Sequence, residues 1–180
     1  MVVKEKIKVV LADDHAVVRK GIKEFLEEGG DIQVVGEAVN GEEAVEQVAE
    51  LQPDVAVLDI RMPVVTGIEA TRQIKARYPG VKVLILTAYD DDPYIFALLK
   101  AGANGYILKT AESSELVEAV RAVHRGESVL DPSVTQKVVA QLTTGCPVGA
   151  HKMVEALTDR ELEVLRLVAK GLTNKAIGRE

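Results

Sequence analysis

Over the first 125 residues the hydrophobic positions recur with two different periods. Five short runs are rich in β-branched residues: Lys6 to Leu11 (KIKVVL), Ile32 to Ala38 (IQVVGEA), Asp54 to Leu58 (DVAVL), Lys82 to Thr87 (KVLILT) and Gly105 to Leu108 (GYIL). They alternate with longer segments in which apolar residues return every three or four positions, so strands are predicted to alternate with helices. The first, third and fourth runs are almost continuously apolar, as strands covered on both faces are. Val17, Ile22, Phe25 and Leu26 are expected to share one helical face, and Leu116, Val117, Val120 and Val123 another. Gly29-Gly30, Asn40-Gly41, Pro53, Pro79-Gly80 and Gly102 mark turns between the elements.

That alternation predicts an α/β fold with a parallel sheet between two layers of helices. Right-handed crossovers leave few topologies, and a flavodoxin-like five-stranded sheet of order 2-1-3-4-5 is the one expected. A boundary follows at Gly126 to Pro132 (GESVLDP), then a connecting helix over Ser133 to Leu142 and linker-like sequence from Thr143 to His151. From Ala156 the helical period returns. Thr158-Asp159-Arg160-Glu161 fits a capping box, Leu162, Leu165, Val168 and Ala169 form one apolar face, Gly171 stops the helix and Thr173 caps a second one. The expected organisation is a domain over 1–126, a linker with a connecting helix over 127–155, and a small, incomplete all-helical domain over 156–180.

Composition narrows the class. The chain has 180 residues, 47% of them hydrophobic and 28% charged, a globular balance and not that of a disordered chain. Its net charge of −6 is uneven, because residues 131–180 hold seven Lys/Arg against six Asp/Glu and the acidity lies in the first part. Cys146 is the only cysteine, which rules out an intrachain disulfide. The N-terminal MVVKEKIKVVLADD breaks its apolar run with charges too often for a signal peptide, and no segment approaches eighteen uninterrupted apolar residues. A cytoplasmic chain with no membrane partner is expected.

Ligands of an open parallel sheet sit outside the carboxyl ends of its strands. The residues there are Asp13 and Asp14 after the first strand, Asp59 after the third, Thr87 at the end of the fourth and Lys109 after the fifth. Converging carboxylates repel one another in a low-dielectric crevice unless a cation lies among them, and a hard divalent ion, most simply Mg²⁺, suits oxygen ligands. With that ion bound, Asp59 can attack a phosphoryl group and form an acyl phosphate. Lys109 would supply fixed positive charge, and Thr87 a hydrogen bond, to the phosphoryl oxygens. Taken singly, Asp13-Asp14 could equally cap the following helix, Lys109 could snorkel and Thr87 could merely favour a strand end.

The Asp13-Asp14 pair, Asp59-Ile60-Arg61-Met62-Pro63 leading to Gly67, Thr87-Ala88 and Tyr106-x-x-Lys109 together resemble the receiver domain of two-component response regulators, over about residues 5 to 125. The resemblance implies Asp59 as phospho-acceptor, Asp14 as the main metal-binding carboxylate with Asp13 assisting, and the Arg61 main-chain carbonyl as a further metal ligand. It also implies that Thr87 and Tyr106 form a switch pair, the hydroxyl moving toward the phosphoryl group while the ring turns inward, and that Arg61 and Tyr89 tune dephosphorylation. The Lys109-Thr110 pair departs from the pattern, since many receivers carry proline after the lysine.

Leu157 to Gly178 (LTDRELEVLRLVAKGLTNKAIG) is similar to the opening half of a LuxR-type helix-turn-helix domain, and the two matches together resemble the NarL/FixJ class. The resemblance implies a transcriptional regulator phosphorylated by a sensor histidine kinase, self-modifying and not an enzyme acting on an external substrate, with a phosphorylation-dependent homodimer. The recognition helix that reads bases would follow Glu180. This chain, truncated within its output domain, is therefore expected to touch DNA only weakly, through the phosphates, with Lys170, Lys175 and Arg179. Gly178 inside the last helix costs about 1 kcal/mol relative to alanine. A receiver acting through protein contacts alone is the alternative. An enzyme on a related sheet fits poorly: Asp13-Asp14 would repel a flavin phosphate, and an aspartate-nucleophile phosphatase carries Asp-x-Asp after its first strand.

Overall fold

The computed structural model describes residues 5–88 and 92–144. Six strands and six helices alternate along them: β1 (Ile7–Ala12), α1 (Ala16–Glu28), β2 (Ile32–Ala38), α2 (Gly41–Leu51), β3 (Val55–Leu58), α3 (Gly67–Arg77), β4 (Lys82–Thr87), α4 (Asp92–Ala101), β5 (Gly105–Leu108), α5 (Ser113–His124), β6 (Val129–Leu130) and α6 (Pro132–Thr144). The strands form one parallel sheet in the order β2-β1-β3-β4-β5-β6. The doubly wound architecture and the order 2-1-3-4-5 are those expected, with one correction: the sheet has six strands, not five. The added strand lies in the segment expected to be linker. The chain divides into a unit Met1–Ala140 and a unit Gln141–Glu180; of the second, only the end of α6 falls within the described residues. The helices expected from Thr158 onward, with Lys170, Lys175 and Arg179, lie outside them, as does Tyr89.

Two apolar cores fill the faces of the sheet. One joins Val10, Ala56, Leu58, Val83 and Ile85 to α2, α3 and α4 residues such as Val48, Ile74 and Leu98. The other joins Val9, Leu11, Val55, Val57 and Leu84 to Ile22 and Leu26 of α1 and Leu116, Val120 and Val123 of α5. Alternate residues of one strand thus feed opposite cores, which is why β1, β3 and β4 read as unbroken apolar runs. The expected face of α5 is the observed one. That of α1 needs correction, because Ile22 and Leu26 are buried while Val17 is 86% and Phe25 47% exposed. Val17 is five residues from Ile22, about 140° around a helix of 3.6 residues per turn, and so points away from the sheet.

The helix starts near the carboxyl edge are fixed by local chemistry. Asn40 caps α2 by accepting from Glu43 N at 2.9 Å, while the Glu43 carboxylate returns to Val39 N at 3.0 Å. Thr66 caps α3 through Glu69 N. Both helices begin on glycine because neighbouring backbone lies against them. A Cβ on Gly67 would stand 2.0 Å from the Asp59 carbonyl oxygen, and one on Gly41 would stand 2.4 Å from that of Val65. These close approaches pin the loop between β3 and α3 over the end of β3.

Candidate functional site

Asp59 directly follows β3 and Asp13 directly follows β1, and both are buried, 4% and 1% exposed. Backbone amides hold one oxygen of each: Ile60 N donates to Asp59 Oδ1 at 2.7 Å, and His15 N donates to Asp13 Oδ1 at 2.8 Å. Lys109, immediately after β5, reaches between them. Its Nζ donates to Asp59 Oδ2 at 2.7 Å and lies 2.6 Å from Asp13 Oδ2. The second approach is an ion contact outside hydrogen-bonding alignment, so Asp13 Oδ2 is a buried oxygen with a charge beside it and no hydrogen bond. Burial works against the Lys109 charge more than any other single influence. The close contacts and charges of Asp13 and Asp59 together outweigh it and raise the pKa above its ordinary 10.5.

Asp14 sits at the exposed mouth of this crevice, with Oδ1 2.8 Å from His15 Nδ1. His15 is the N-cap of α1 and its side chain makes no cap, while Asp13 Oδ1 accepts the N–H of that N-cap residue. The capping reading of the pair thus holds in part, for Asp13, alongside its contact with Lys109. Sequence reasoning passed over His15 because a histidine at a helix start carries no distinctive signal, yet it touches both aspartates. Arg19 also holds the corner, its Nη1 donating to the Asp13 carbonyl at 2.7 Å and its Nε to Glu37 at 3.2 Å.

One ligand atom from each of Asp13, Asp14, His15 and Asp59 lies within 4.8 Å of the others. Three hard carboxylates, one with a buried oxygen lacking a hydrogen bond, form a donor set that fits a divalent cation. Met62 anchors the loop after Asp59 in the core, and Gly67 N donates to Ile60 O at 2.9 Å. Between these anchors Val65 N donates to Pro63 O at 2.8 Å around Val64, which has φ of 65°. A β-branched residue there is strained, and its side chain, 77% exposed, gains nothing from packing. The Arg61 guanidinium lies 5.7 Å from the centre of the Tyr94 ring.

Thr87 ends β4 fully buried, and its carbonyl accepts Lys109 N at 2.8 Å. Tyr106, opposite Ile85 in the ladder, is 2% exposed, so its ring occupies the inward position in this conformation. Asp13, Asp14, Asp59 and Lys109 are thus brought together at one edge, with Thr87 adjoining Lys109 and Tyr106 three residues before it.

Parallel α/β topology with a lysine-bridged acidic crevice at its carboxyl edge defines a receiver-type domain, and residues 9–121 match the family described as the response regulator receiver domain. Residues 155–180 match the bacterial regulatory proteins of the luxR family. The chain belongs to the response regulators that join a receiver to a LuxR-type DNA-binding domain. The transcriptional regulatory protein LiaR of Bacillus subtilis (strain 168) is 44% identical over 175 residues, which cover 97% of this chain and 82% of that protein. The crystal structure of a LuxR-family two-component response regulator from Aurantimonas sp. SI85-9A1 is 32% identical with a TM-score of 0.73, over 77% of this chain and 99% of that one. A structure of two RcsB dimers bound to two parallel DNAs is 26% identical with a TM-score of 0.68, over 97% of this chain and 82% of that one. Among the described residues no helix is long and apolar enough to cross a membrane.

Proposed function

We propose that the protein is a cytoplasmic, phosphorylation-controlled transcription regulator in which Asp59 accepts a phosphoryl group from a sensor histidine kinase in a Mg²⁺-dependent reaction. The observation that carries this reading is the placement of Asp59 beside Asp13 and Asp14 with Lys109 on its free oxygen. Asp14, Asp59 and the Arg61 main-chain carbonyl would hold the ion, with Asp13 assisting. Bound there, it would neutralise the attacking carboxylate and the incoming phosphoryl oxygens.

The chain's own groups do the rest. Ile60 N holds Asp59 Oδ1, and Oδ2, on which Lys109 Nζ lies, would be the oxygen that attacks phosphorus. The O–P bond forms as the P–N bond to the donor histidine breaks, and the imidazole leaves with a proton from solvent. Lys109 already lies on Oδ2 and would follow the charge onto the phosphoryl oxygens. Thr87 would donate to one of those oxygens, and its movement together with Tyr106 would report the event to the output segment. The product is a modification of the protein's own chain and not turnover of an external substrate.

We assign the receiver to residues 1–126, the connecting segment to 127–155 and the N-terminal part of the DNA-binding domain to 156–180, with DNA as the partner of the complete output domain and a second copy of the chain as the partner of the phosphorylated form. The luxR-family match and the DNA-bound dimers of the RcsB relative support that output. Label transferred from acetyl phosphate in the presence of Mg²⁺ tests the chemistry. Release of the label by neutral hydroxylamine is expected of an acyl phosphate, and retention would place it on another residue type and contradict the proposal.

A further inference from the structure

The segment that leaves the receiver is not a free linker. Val129 and Leu130 form β6 against β5, with Gly105 opposite Val129 and Tyr106 opposite Leu130. Asp131 then makes two connections. Its N–H donates to the Tyr106 carbonyl at 3.0 Å, and its carboxylate Oδ1 accepts from Ser133 N at 2.9 Å and Ser133 Oγ at 2.7 Å, starting α6. The Asp131 carbonyl accepts from Thr135 N at 2.8 Å. A single residue thus ties the backbone of Tyr106 to the first turn of α6.

The side chains repeat that connection. Val134 is fully buried and belongs to the same core cluster as Tyr106, Ile95 and Leu98, and Leu130 and Val138 pack against that cluster. Val134 of α6 thus shares one apolar core with the Tyr106 ring and with Ile95 and Leu98 of α4. Its attachment to the sheet is slight: a two-residue edge strand has few ladder bonds, and such an element opens locally far more readily than the central strands. If Tyr106 takes a second position, as the proposed switch requires, a weakly held element that shares its core is biased by the position it takes.

We infer that β6 and the first turns of α6 form the relay between site and output: the inward Tyr106 ring and the seated α6 belong to one state, so phosphorylation tightens α6 onto the receiver and sets the direction in which the chain leaves it. The direction of the effect rests on the proposed reading in which phosphorylation at Asp59 favours the inward ring. The coupling between α6 and β5 does not.

Hydrogen–deuterium exchange on the full chain, with intact mass measured in parallel, separates the two. In unphosphorylated protein, Val134→Ala is expected to speed exchange at least tenfold in peptides covering 129–138 and to speed it in the 105–109 peptide as well, while β1 and β3 keep their rates. Normal exchange at 105–109 beside fast exchange at 129–138 would overturn the coupling, whatever happens at Asp59. In wild-type protein treated with acetyl phosphate and Mg²⁺, a mass gain accompanied by slower exchange at 129–138 supports the relay. A mass gain with unchanged or faster exchange there overturns it and leaves the phosphorylation reading standing. Absence of any mass gain defeats the phosphorylation reading and with it the assigned direction, and the Val134→Ala result still decides the coupling.

Discussion

Lys109 contacts two buried carboxylates, Asp13 and Asp59, and its removal takes the lysine charge from both. Breaking one side of such a cluster costs about 3 kcal/mol. Lys109→Met is therefore expected to lower the stability of the metal-free protein by that order, and millimolar Mg²⁺ should restore part of the loss, since a bound cation stabilises the folded state. Thermal unfolding with and without Mg²⁺ checks this, and an equal deficit in both would argue against a cation site. At the outer corner, Glu37 pairs with Lys23 at 2.8 Å and Arg19 at 3.2 Å. The Lys23 hydrogen bond, opposed by partial burial and aided by the charges of Lys23 and Arg19, holds the Glu37 carboxyl below its usual 4.5. A depressed folded pKa contributes stability above the unfolded pKa and loses it as pH falls through the folded one. Because the pair is solvent-screened, Glu37→Gln should cost less than about 1 kcal/mol at pH 7. Urea titrations should show that difference present above the ordinary carboxylate pKa and shrinking as pH falls through the lowered one. The aspartates and Lys109 were legible in the sequence because each directly follows a strand, where topology alone fixes the edge they share. The contacts of His15 and Arg19 were not, because they depend on how a helix start folds back over its own strand.

At the scale of elements, the β3–α3 loop is fixed at both ends and strained in the middle. Gly67→Ala would drive a Cβ into the Asp59 carbonyl, so the loop or the strand end must move. We expect a loss of roughly 1–3 kcal/mol and a matching fall in metal affinity, measurable by titration calorimetry. Val64→Gly should do the reverse to stability. Relief of the left-handed valine at φ 65° is expected to add about 1 kcal/mol, after allowance for the extra freedom of glycine in the unfolded chain. An unchanged or lower denaturation midpoint would contradict that. The central strands were readable because burial on both faces forces continuous apolar runs. β6 was not, because two residues, Val129 and Leu130, carry no period, and only their register against Gly105 and Tyr106 makes them a strand. The face of α1 was misread for a related reason: apolar residues were grouped by type, whereas the sheet covers only the stripe that runs through Ile22 and Leu26.

Across the whole molecule, an acidic receiver is followed by a segment, 131–180, that carries one net positive charge. Only the second suits a polyanionic partner such as DNA. Phosphorylated protein is expected to elute earlier than unphosphorylated protein in size-exclusion chromatography, and identical elution would count against the proposed dimer. All of this rests on chemistry at a single carboxylate. The most direct measurement is the intact mass of the chain after incubation with acetyl phosphate, with Mg²⁺ or with a chelator, for the wild type and for Asp59→Asn. One added phosphoryl group is expected, in the wild type alone and only with Mg²⁺. An equal gain in Asp59→Asn, or no gain in either protein, would contradict the phosphorylation reading.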